Sequence, residues 1–561
     1  MIKSFTSTKL LFHITIMNAQ NLLQFWTTHP KIWFTRDGSV QQILIDHYFY
    51  YHYHHLVEQV YRDDTYLKNN QFIRILCLDQ ISRHIYRHLH RRQEPYQLEL
   101  YIGKAYVEAG SHVSAHVSDN PLDEILWILL CIRHNNTYND LVRVVTWIEE
   151  NYSRSGYGTD PHLQYFLKFI RKTFQLYDQH PLVLTDVVYS LPMNIEYFNE
   201  ILVETTNQRN KHCSDNLLSV KKIRLEIKKL VCKYKTIIVS LSGGVDSMVI
   251  MDCLLRLRAE IPSLKVIAVH ICYLNRDAAK RETEFLTKWC CMHSVVLVTR
   301  TIYEYSRDSM DRELYESKTR EIRYATYRRV IDGLSISSIS SKSRERVPII
   351  LGHHSGDVRE NVITNMLNGH SMLELGKMKK MSIHHTLLFC RPLLSLDKNH
   401  IYKYSCEFNI PYFLDTTPSW SCRGVLRTEL LPTMYRQWGE HKVKTNLDHI
   451  AQMSEQWNSI IQKCILQPFL DTVIYTTNGW SFEIPDCNEM VFWIEVWGKM
   501  CHKFDAKFDA KFGPHGGIRQ PSKKSIINFT NQLRTKKKMK VVLNKHITAV
   551  IGETITVLVH K

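Results

Sequence analysis

Six consecutive residues form the segment with the most specific chemistry in this chain: Ser242, Gly243, Gly244, Val245, Asp246 and Ser247. They separate one apolar run, Ile237 to Leu241, from a second that begins at Val249. This pattern predicts a buried strand, a glycine turn and the start of a helix. Glycines let backbone N–H groups approach a phosphate, serines add hydroxyl donors, and the positive end of the helix favours an anion. The segment therefore predicts a cradle for phosphate groups.

A glycine turn with Asp246 as a helix cap would explain the same residues without any ligand. A chance match to Ser-Gly-Gly-x-Asp-Ser in a chain of this length has a probability of roughly one in a thousand. The match also falls at a strand-to-helix junction, which favours the functional interpretation. The segment lacks the Gly-Lys-Ser/Thr ending of a Walker loop and resembles the loop of PP-loop ATP pyrophosphatases. That resemblance implies cleavage of ATP between its α and β phosphates to adenylate a substrate.

A second group of polar residues follows another predicted strand, Val347 to Leu351. Asp357 and Glu360 are three residues apart, so both carboxylates share one helix face. With His353 and His354 beside them, they could hold Mg²⁺ on ATP phosphates or position an amine. An acid favoured by the helix dipole would explain Asp357 alone, but it explains the histidines poorly.

Taken together, residues 234 to about 433 resemble the tRNA(Ile)-lysidine synthase family, whose motifs recur here in the same order. Those motifs are the glycine turn, His270 with Leu274–Arg276, the set Glu316, Arg320, Arg323 and Tyr324, the His353–His354 motif, Arg391–Leu394, Asp415, and Arg423 with Arg427. The chain departs from the family pattern at Gly356, Asn361 and Gly424. The catalytic charges are retained, whereas Gly356 replaces an aspartate of the family pattern and some supporting hydrogen bonds are lost. Reduced or altered activity is therefore one expectation.

The resemblance implies a ligase that adenylates C2 of an anticodon cytidine with ATP and then transfers lysine to that carbon. Its expected substrates and cofactors are tRNA, free lysine, ATP and Mg²⁺. The expected catalytic residues are Asp246, Asp357, Glu360, Arg423 and Arg427. The expected nucleotide-binding residues are the glycine turn, His270, His353 and His354, and Asp246 is the expected Mg²⁺ ligand.

Three other functions fit parts of the pattern. A tRNA thiolase shares the PP-loop, but no two cysteines of this chain have the C-x-x-C spacing that such enzymes use. An amidating ligase such as NAD or GMP synthetase matches the segments around Arg391 and Asp415 less well. A non-catalytic RNA-binding protein would explain the changes at Gly356 and Asn361, but not the retained carboxylates.

Composition favours a globular protein with a polyanionic partner. The chain has 561 residues, 44% of them hydrophobic, and a formal net charge of +17. Its fourteen cysteines are scattered, which predicts a reduced, cytoplasmic protein without a zinc ribbon. The apolar stretch Leu10 to Met17 is too short to cross a bilayer, so no membrane association is expected. The oligomeric state, including a dimer, stays open.

The predicted fold is multidomain. An all-α domain covers residues 18–205, followed by a linker from Thr205 to Asn216. Residues 218–433 alternate strand and helix signals, which predicts an α/β doubly wound parallel sheet with its ligand at the carboxyl ends of the strands. A helical, tRNA-binding-like domain is expected at 434–500, and a small domain with a β-hairpin at 518–561, which makes the C-terminal region α+β.

The N-terminal helices resemble an uncharacterised bacterial family of tetratricopeptide-like proteins, on the segment Cys77 to Arg87. Asp79, Arg83 and Arg87 recur there at four-residue steps. The favoured interpretation is an ordinary Asp-Arg ladder on a helix surface, which contributes tenths of a kcal/mol. A ligand site is the alternative.

Overall fold

The structure is a computed structural model in which most of the chain is described. The described residues are 18–33, 39–113, 121–135, 137–152, 160–180, 217–274, 278–337, 346–376, 378–413, 421–487, 489–508, 520–535 and 538–559. They divide into two compact units. The first unit lies within Met1–Gly352, Met381–Pro392 and Asn399–Asp415, and the second lies within His353–Lys380, Leu393–Lys398 and Thr416–Lys561.

The N-terminal part of the first unit is helical, as the apolar spacing predicts. Its helices are α1 (Ala19–Thr28), α2 (Val40–Arg62), α3 (Gln71–Ile75), α4 (Ser82–Arg91), α5 (Leu98–Val113), α6 (Leu122–His134), α7 (Tyr138–Asn151) and α8 (Leu163–Tyr177). Their apolar faces pack around Trp26 and Trp127, whose ring centroids are 4.9 Å apart. Burial of such large side chains stabilises the helical region.

The rest of the first unit is a six-stranded sheet with helices. The strands are β1 (Thr236–Ser240), β2 (Lys265–Cys272), β3 (Val296–Thr301), β4 (Pro348–Ile350), β5 (Met381–His384) and β6 (Leu387–Cys390), in the order β3-β2-β1-β4-β6-β5. Only the β5–β6 pairing is antiparallel among these described strands. The direction of winding reverses between β1 and β4, where open α/β sheets bind ligands.

The helices between residues 217 and 407 are α9 (Leu217–Val231), α10 (Val245–Glu260), α11 (Ala278–Met292), α12 (Arg312–Ser337), α13 (Ser355–Leu367) and α14 (Lys398–Glu407). Of these, α13 belongs to the second unit.

A buried ion cluster connects the N-terminal helices to the sheet inside the first unit. The side chain of Arg300 on β3 is 3% exposed; it donates to Asp178, just after α8, at 3.0 Å and also pairs with Glu304. Arg329 of α12 lies 3.2 Å from the same Asp178 carboxylate. Tyr303, after β3, belongs to the core of the helices. The helices and the sheet therefore share one packed interior.

The second unit contains a five-stranded antiparallel sheet. Its further helices are α15 (Cys422–Val425), α16 (Leu431–Trp438), α17 (Glu440–Ile461), α18 (Gln467–Thr472), α19 (Met490–Phe508) and α20 (Lys523–Arg534), and its strands are β7 (Ile474–Thr476), β8 (Gly479–Glu483), β9 (Met539–Val542), β10 (Ile547–Ile551) and β11 (Thr554–Val559). The strand order is β7-β8-β11-β10-β9. Trp480 of β8 and Trp497 of α19 are buried in its core.

The predicted three-part architecture, with helices, a doubly wound parallel sheet and a C-terminal α+β region, is confirmed. The predicted domain limits stay predictions. The described helices between residues 18 and 180 belong to the same compact unit as the sheet, and Arg300 and Tyr303 are buried against them. In the second unit, β8 pairs with β11. The segment from His353 to Lys380 leaves the first unit for the second.

Some expectations fall on residues outside the described ranges. These include the stretch Leu10 to Met17, the linker Thr205 to Asn216 and the Asp415 motif. Within the described ranges, none of the helices combines the length and apolar character that crossing a bilayer requires.

The surface ladder predicted at Asp79 is wrong, because Asp79 is buried. It lies in a π-helical turn, Leu76–Ile81, and its side chain is only 1% exposed. Arg83 Nε donates to its carboxylate at 2.9 Å, and His134 Nδ1 of α6 lies 3.0 Å from it. Burial raises the pKa of Asp79, but the charges of His134 and Arg83 outweigh burial and lower it to about 2.

We expect Arg300→Gln to destabilise the protein by about 3–5 kcal/mol, because two acids lose their main cationic partner in a buried place. Urea unfolding of the full chain measures the change. The matched control is Arg224→Gln, whose salt bridge to Glu260 lies at the surface with the two side chains 42% and 44% exposed, and we expect a change below about 1 kcal/mol. Equal effects of the two substitutions would contradict the role of the buried cluster.

Asp79 should contribute stability that depends on acid pH. Its pKa is near 3.9 in the unfolded chain and about 2 in the folded protein. The ionised carboxylate therefore stabilises the fold above pH 4, by about 2–3 kcal/mol, and the contribution is lost as the pH falls towards 2. Urea unfolding of the native chain and of Asp79→Asn should show a difference in the free energy of unfolding at pH 6, and this difference should be smaller at pH 3. A difference independent of pH would contradict this.

Candidate functional site

The turn from Ser242 to Ser247 connects β1 to α10 at the carboxyl edge of the sheet. Gly243 has a φ of +83°, which glycine adopts without strain, and its carbonyl accepts a hydrogen bond from the Phe413 N–H at 3.0 Å. The Ser247 hydroxyl lies 3.1 Å from the Ser242 N–H and 3.1 Å from the Ser242 hydroxyl. The turn is thus held by its own hydroxyls and by a neighbouring backbone segment.

The N-cap residue of α10 is Gly244, which has no side chain to cap the helix. Asp246 lies half-buried in the first turn, and Ser242 is exposed. Backbone amides at the positive end of a helix form a favourable place for an anion. The predicted phosphate cradle therefore has the backbone arrangement that it needs, and the alternative of Asp246 as the helix cap is wrong.

Gly352, just after β4, packs directly against this turn. A Cβ atom on Gly352 would lie 2.9 Å from Cβ of Asp246 and 3.2 Å from the backbone nitrogen of Ser247. Such distances are shorter than van der Waals contact, so any side chain here would displace the turn. The absence of a side chain at Gly352 thus lets the ends of β1 and β4 approach closely.

His270, predicted to bind the nucleotide, lies under the turn near the end of β2. It is 3% exposed, its Nδ1 lies 2.9 Å from the Leu241 carbonyl, and its Nε2 lies 3.1 Å from the Thr283 hydroxyl. Both ring nitrogens have protein partners, so the ring supports the strand that carries the turn. Contact with a nucleotide stays a prediction.

In the second unit, His354 caps α13. Its Nδ1 accepts from the Gly356 N–H at 3.0 Å, and Asp357 accepts from the His354 N–H at 2.9 Å. A Cβ atom on Gly356 would lie 2.6 Å from Cε1 of His354. The departure at Gly356 therefore suits this cap, because a larger residue would force the ring to move. His353 precedes the cap and is half-buried.

The predicted catalytic acids and arginines of the second unit lie together. Arg427 donates to Glu360 through Nε at 2.6 Å and Nη2 at 3.2 Å, and its Nη2 lies 3.6 Å from Asp357. Arg423 Nε is 3.9 Å from Glu360. Burial raises the pKa of Asp357, but nearby His354, His353 and Arg423 and a backbone hydrogen bond outweigh it and hold that pKa below its ordinary value. Asp357 is therefore charged at neutral pH.

Sequence reasoning missed Arg359, which lies between the two predicted acids. Its side chain is 8% exposed and donates to Asp448 of α17 at 2.7 Å and to Asp397 at 2.9 Å. These bonds fix α13 against α17, so Arg359 positions the helix that carries Asp357 and Glu360. The signal available in the sequence was an arginine that lies between two acids. Its own partners are 38 and 89 residues away, so no local pattern indicates them.

Asp246 offers a suitable ligand for Mg²⁺ beside phosphates. Mg²⁺ prefers oxygen ligands and is commonly held by one or two carboxylates together with substrate phosphates. No group of three or more His, Cys, Asp or Glu side chains able to hold a metal occurs within the described part of the chain. The Asp246 carboxylate suits Mg²⁺ bound together with a nucleotide, and its role as a Mg²⁺ ligand stays a prediction.

Comparisons with known proteins agree with this geometry. Residues 218–434 match the family model of the PP-loop domain. The tRNA(Ile)-lysidine synthase of Enterococcus faecalis is 26% identical over 259 residues, which are 45% of this chain and 51% of that protein. The tRNA(Ile)-lysidine synthase of Chlamydia caviae is 28% identical over 293 residues, 52% of this chain and 83% of that protein. The chain thus spans about half of the first relative's length. Residues 218–434 thus match a PP-loop domain, and the chain is similar to tRNA(Ile)-lysidine synthases over about half of its length.

Proposed function

We propose that this protein is an ATP-dependent ligase that joins lysine to C2 of a cytidine in a tRNA anticodon. The observation that carries the proposal is the glycine turn of residues 242–247, which joins the carboxyl end of β1 to the N-terminus of α10. The names of the matched relatives, tRNA(Ile)-lysidine synthases, suggest the substrate. The net charge of +17 suits an RNA partner.

In the first step, the C2 carbonyl oxygen of cytidine attacks the α phosphorus of ATP, and diphosphate leaves. The amides at the start of α10 and the Ser242 hydroxyl, which is exposed, would hold the diphosphate as its charge develops. Mg²⁺ held by Asp246 would supply further neutralisation of that charge. Gly352 keeps the turn in place, since the closely packed backbone leaves little room for it to shift.

In the second step, the ε-amine of lysine attacks C2, and the bond from C2 to the adenylated oxygen breaks, so that AMP leaves with that oxygen. Asp357 and Glu360 would attract the lysine ammonium and accept its proton. Both carboxylates are buried and already face Arg427. The incoming ammonium would therefore share these carboxylates with the Arg427 guanidinium or displace it from them. Arg427 and Arg423 would then be available to steady phosphate charge.

The rival functions predict different products. A thiolase would incorporate sulfur, and a catalytically impaired RNA-binding protein would bind tRNA without consuming ATP. The fit of Gly356 to the His354 ring supports an intact motif, because that substitution is accommodated by the cap.

Repeated turnover of the full chain, measured as diphosphate released in excess of enzyme and tRNA, should require tRNA and lysine together. We expect Asp246→Asn to reduce this turnover by at least about 100-fold, because the Mg²⁺ that would neutralise the leaving diphosphate loses its carboxylate ligand. Binding of tRNA, measured by fluorescence anisotropy, should stay near normal. The matched control is Asp252→Asn on the same helix, where Asp252 pairs with Arg256.

Undiminished turnover in Asp246→Asn would show that the site is assigned incorrectly. Repeated release of diphosphate, in excess of enzyme and tRNA, that needs tRNA but not lysine would contradict the ligase and favour another adenylating enzyme.

A further inference from the structure

The outer part of α4 carries three arginines in a line, Arg83, Arg87 and Arg91, which we call the arginine strip. Their side chains are 25%, 29% and 34% exposed. Residues four apart on a helix are separated by about 6 Å along its axis and lie on nearly the same face. The strip therefore presents a row of guanidinium groups at the surface of the helical region.

Each guanidinium is held from below by a buried carboxylate. Arg83 contacts Asp79 through Nε at 2.9 Å and Nη2 at 2.8 Å. Arg87 Nε donates to Asp46 of α2 at 3.2 Å, and Arg91 Nη2 donates to the other oxygen of Asp46 at 2.7 Å. The side chains of Asp46 and Asp79 are at most 1% exposed. The arginines are therefore fixed in position before any ligand arrives.

Simple helix packing does not account for this arrangement. Burying a carboxylate costs several kcal/mol, and well-packed apolar residues often stabilise a core at least as well as buried ion pairs do. Two separate elements, α2 and the π-helical turn Leu76–Ile81, each supply one buried acid to the same strip. Single π-helical turns within helices are rare and occur frequently at functional sites.

The strip keeps hydrogen-bond donors for a ligand. A guanidinium has five N–H donors, and the bonds to Asp79 use only Nε and Nη2 of Arg83. Within the described residues, Nη1 of Arg83 and Nη1 of Arg87 have no protein acceptor. Aromatic rings flank the strip, since Tyr86 stacks on His90 with centroids 5.4 Å apart. Fixed cations beside aromatic rings are typical of nucleic-acid surfaces.

We propose that the arginine strip binds the phosphate backbone of RNA. Its three cations lie in a row along a helix instead of converging on one point, which suits successive phosphates of a strand better than a single free phosphate. The identity of the RNA as tRNA rests on the proposed function. Contacts to phosphate carry no sequence information, so the strip positions the RNA and raises its affinity.

The test is RNA binding by the full chain at a series of potassium chloride concentrations. The probe is a fluorescent tRNA(Ile) transcript with a cytidine in its anticodon. The variant Arg83→Gln/Arg91→Gln leaves each buried acid a partner, because Asp79 keeps His134 and Asp46 keeps Arg87. Affinity falls as salt rises, so the slope of log affinity against log salt is negative. We expect its magnitude to decrease by about one for each phosphate that the variant no longer binds, about two in all.

Three comparisons separate this role from a structural one. Arg83→Lys/Arg91→Lys keeps the charge and should keep most of the slope. Arg62→Gln/Arg143→Gln removes the same charge from arginines that lie elsewhere in the helical region, with side chains 78% and 41% exposed, and should change the slope little. Thermal unfolding of every variant reports stability separately.

An unchanged slope in the Gln variant, or an equal reduction in the Arg62/Arg143 control, would overturn the proposal even if diphosphate release depends on tRNA and lysine. Binding of inorganic phosphate alone is measured by titration calorimetry. If the Gln variant loses phosphate binding but keeps the salt dependence of RNA binding, the strip binds free phosphate and the RNA assignment is overturned. Conversely, a lowered slope in a protein that releases no diphosphate would support the strip and contradict the proposed function.

Discussion

Close backbone packing at the carboxyl edge of the sheet is the constraint on which the rest of the structure depends. β1 and β4 are neighbours, and the turn after β1 lies against Gly352 with room for no side chain. This packing leaves the first amides of α10 in a defined place, where a helix can stabilise negative charge.

A second feature occurs in both units: buried carboxylates hold arginine side chains in one orientation. Asp178 holds Arg300 and Arg329, Glu360 holds Arg427, and Asp46 holds Arg87 and Arg91. A carboxylate that is removed from water binds a guanidinium strongly only when the geometry is good, so each pair restricts the arginine to one orientation. Such arginines can act on an anionic substrate without first losing side-chain freedom.

Local chemistry was predictable from the sequence where neighbouring residues determine it. The glycine turn, the strands around it and the terminal β10–β11 hairpin follow from glycine conformation and apolar alternation. Long-range ion pairs were not predictable in this way. The spacing of Asp79 to Arg83 is that of a surface ladder, but Asp79 is buried and also contacts His134 of α6, 55 residues away in the sequence.

The site was predictable as a set of residues but not as an arrangement. The spacing of Asp357 and Glu360 predicted one helix face, and both acids do approach Arg427. That Arg359 would bind Asp397 and Asp448 depends on how the second unit packs, which no local pattern encodes. Local patterns also did not predict that β8 pairs with β11, because more than seventy residues of sequence separate the two strands.

The most direct measurement of the central claim is which bond of ATP breaks. The full chain would be incubated with tRNA and with ATP labelled on either the α or the γ phosphate, with and without lysine. The account predicts that α label passes to the RNA when lysine is absent and to AMP when lysine is present, while γ label is released in diphosphate. Recovery of the α label in ADP, with the γ label in inorganic phosphate, would contradict it.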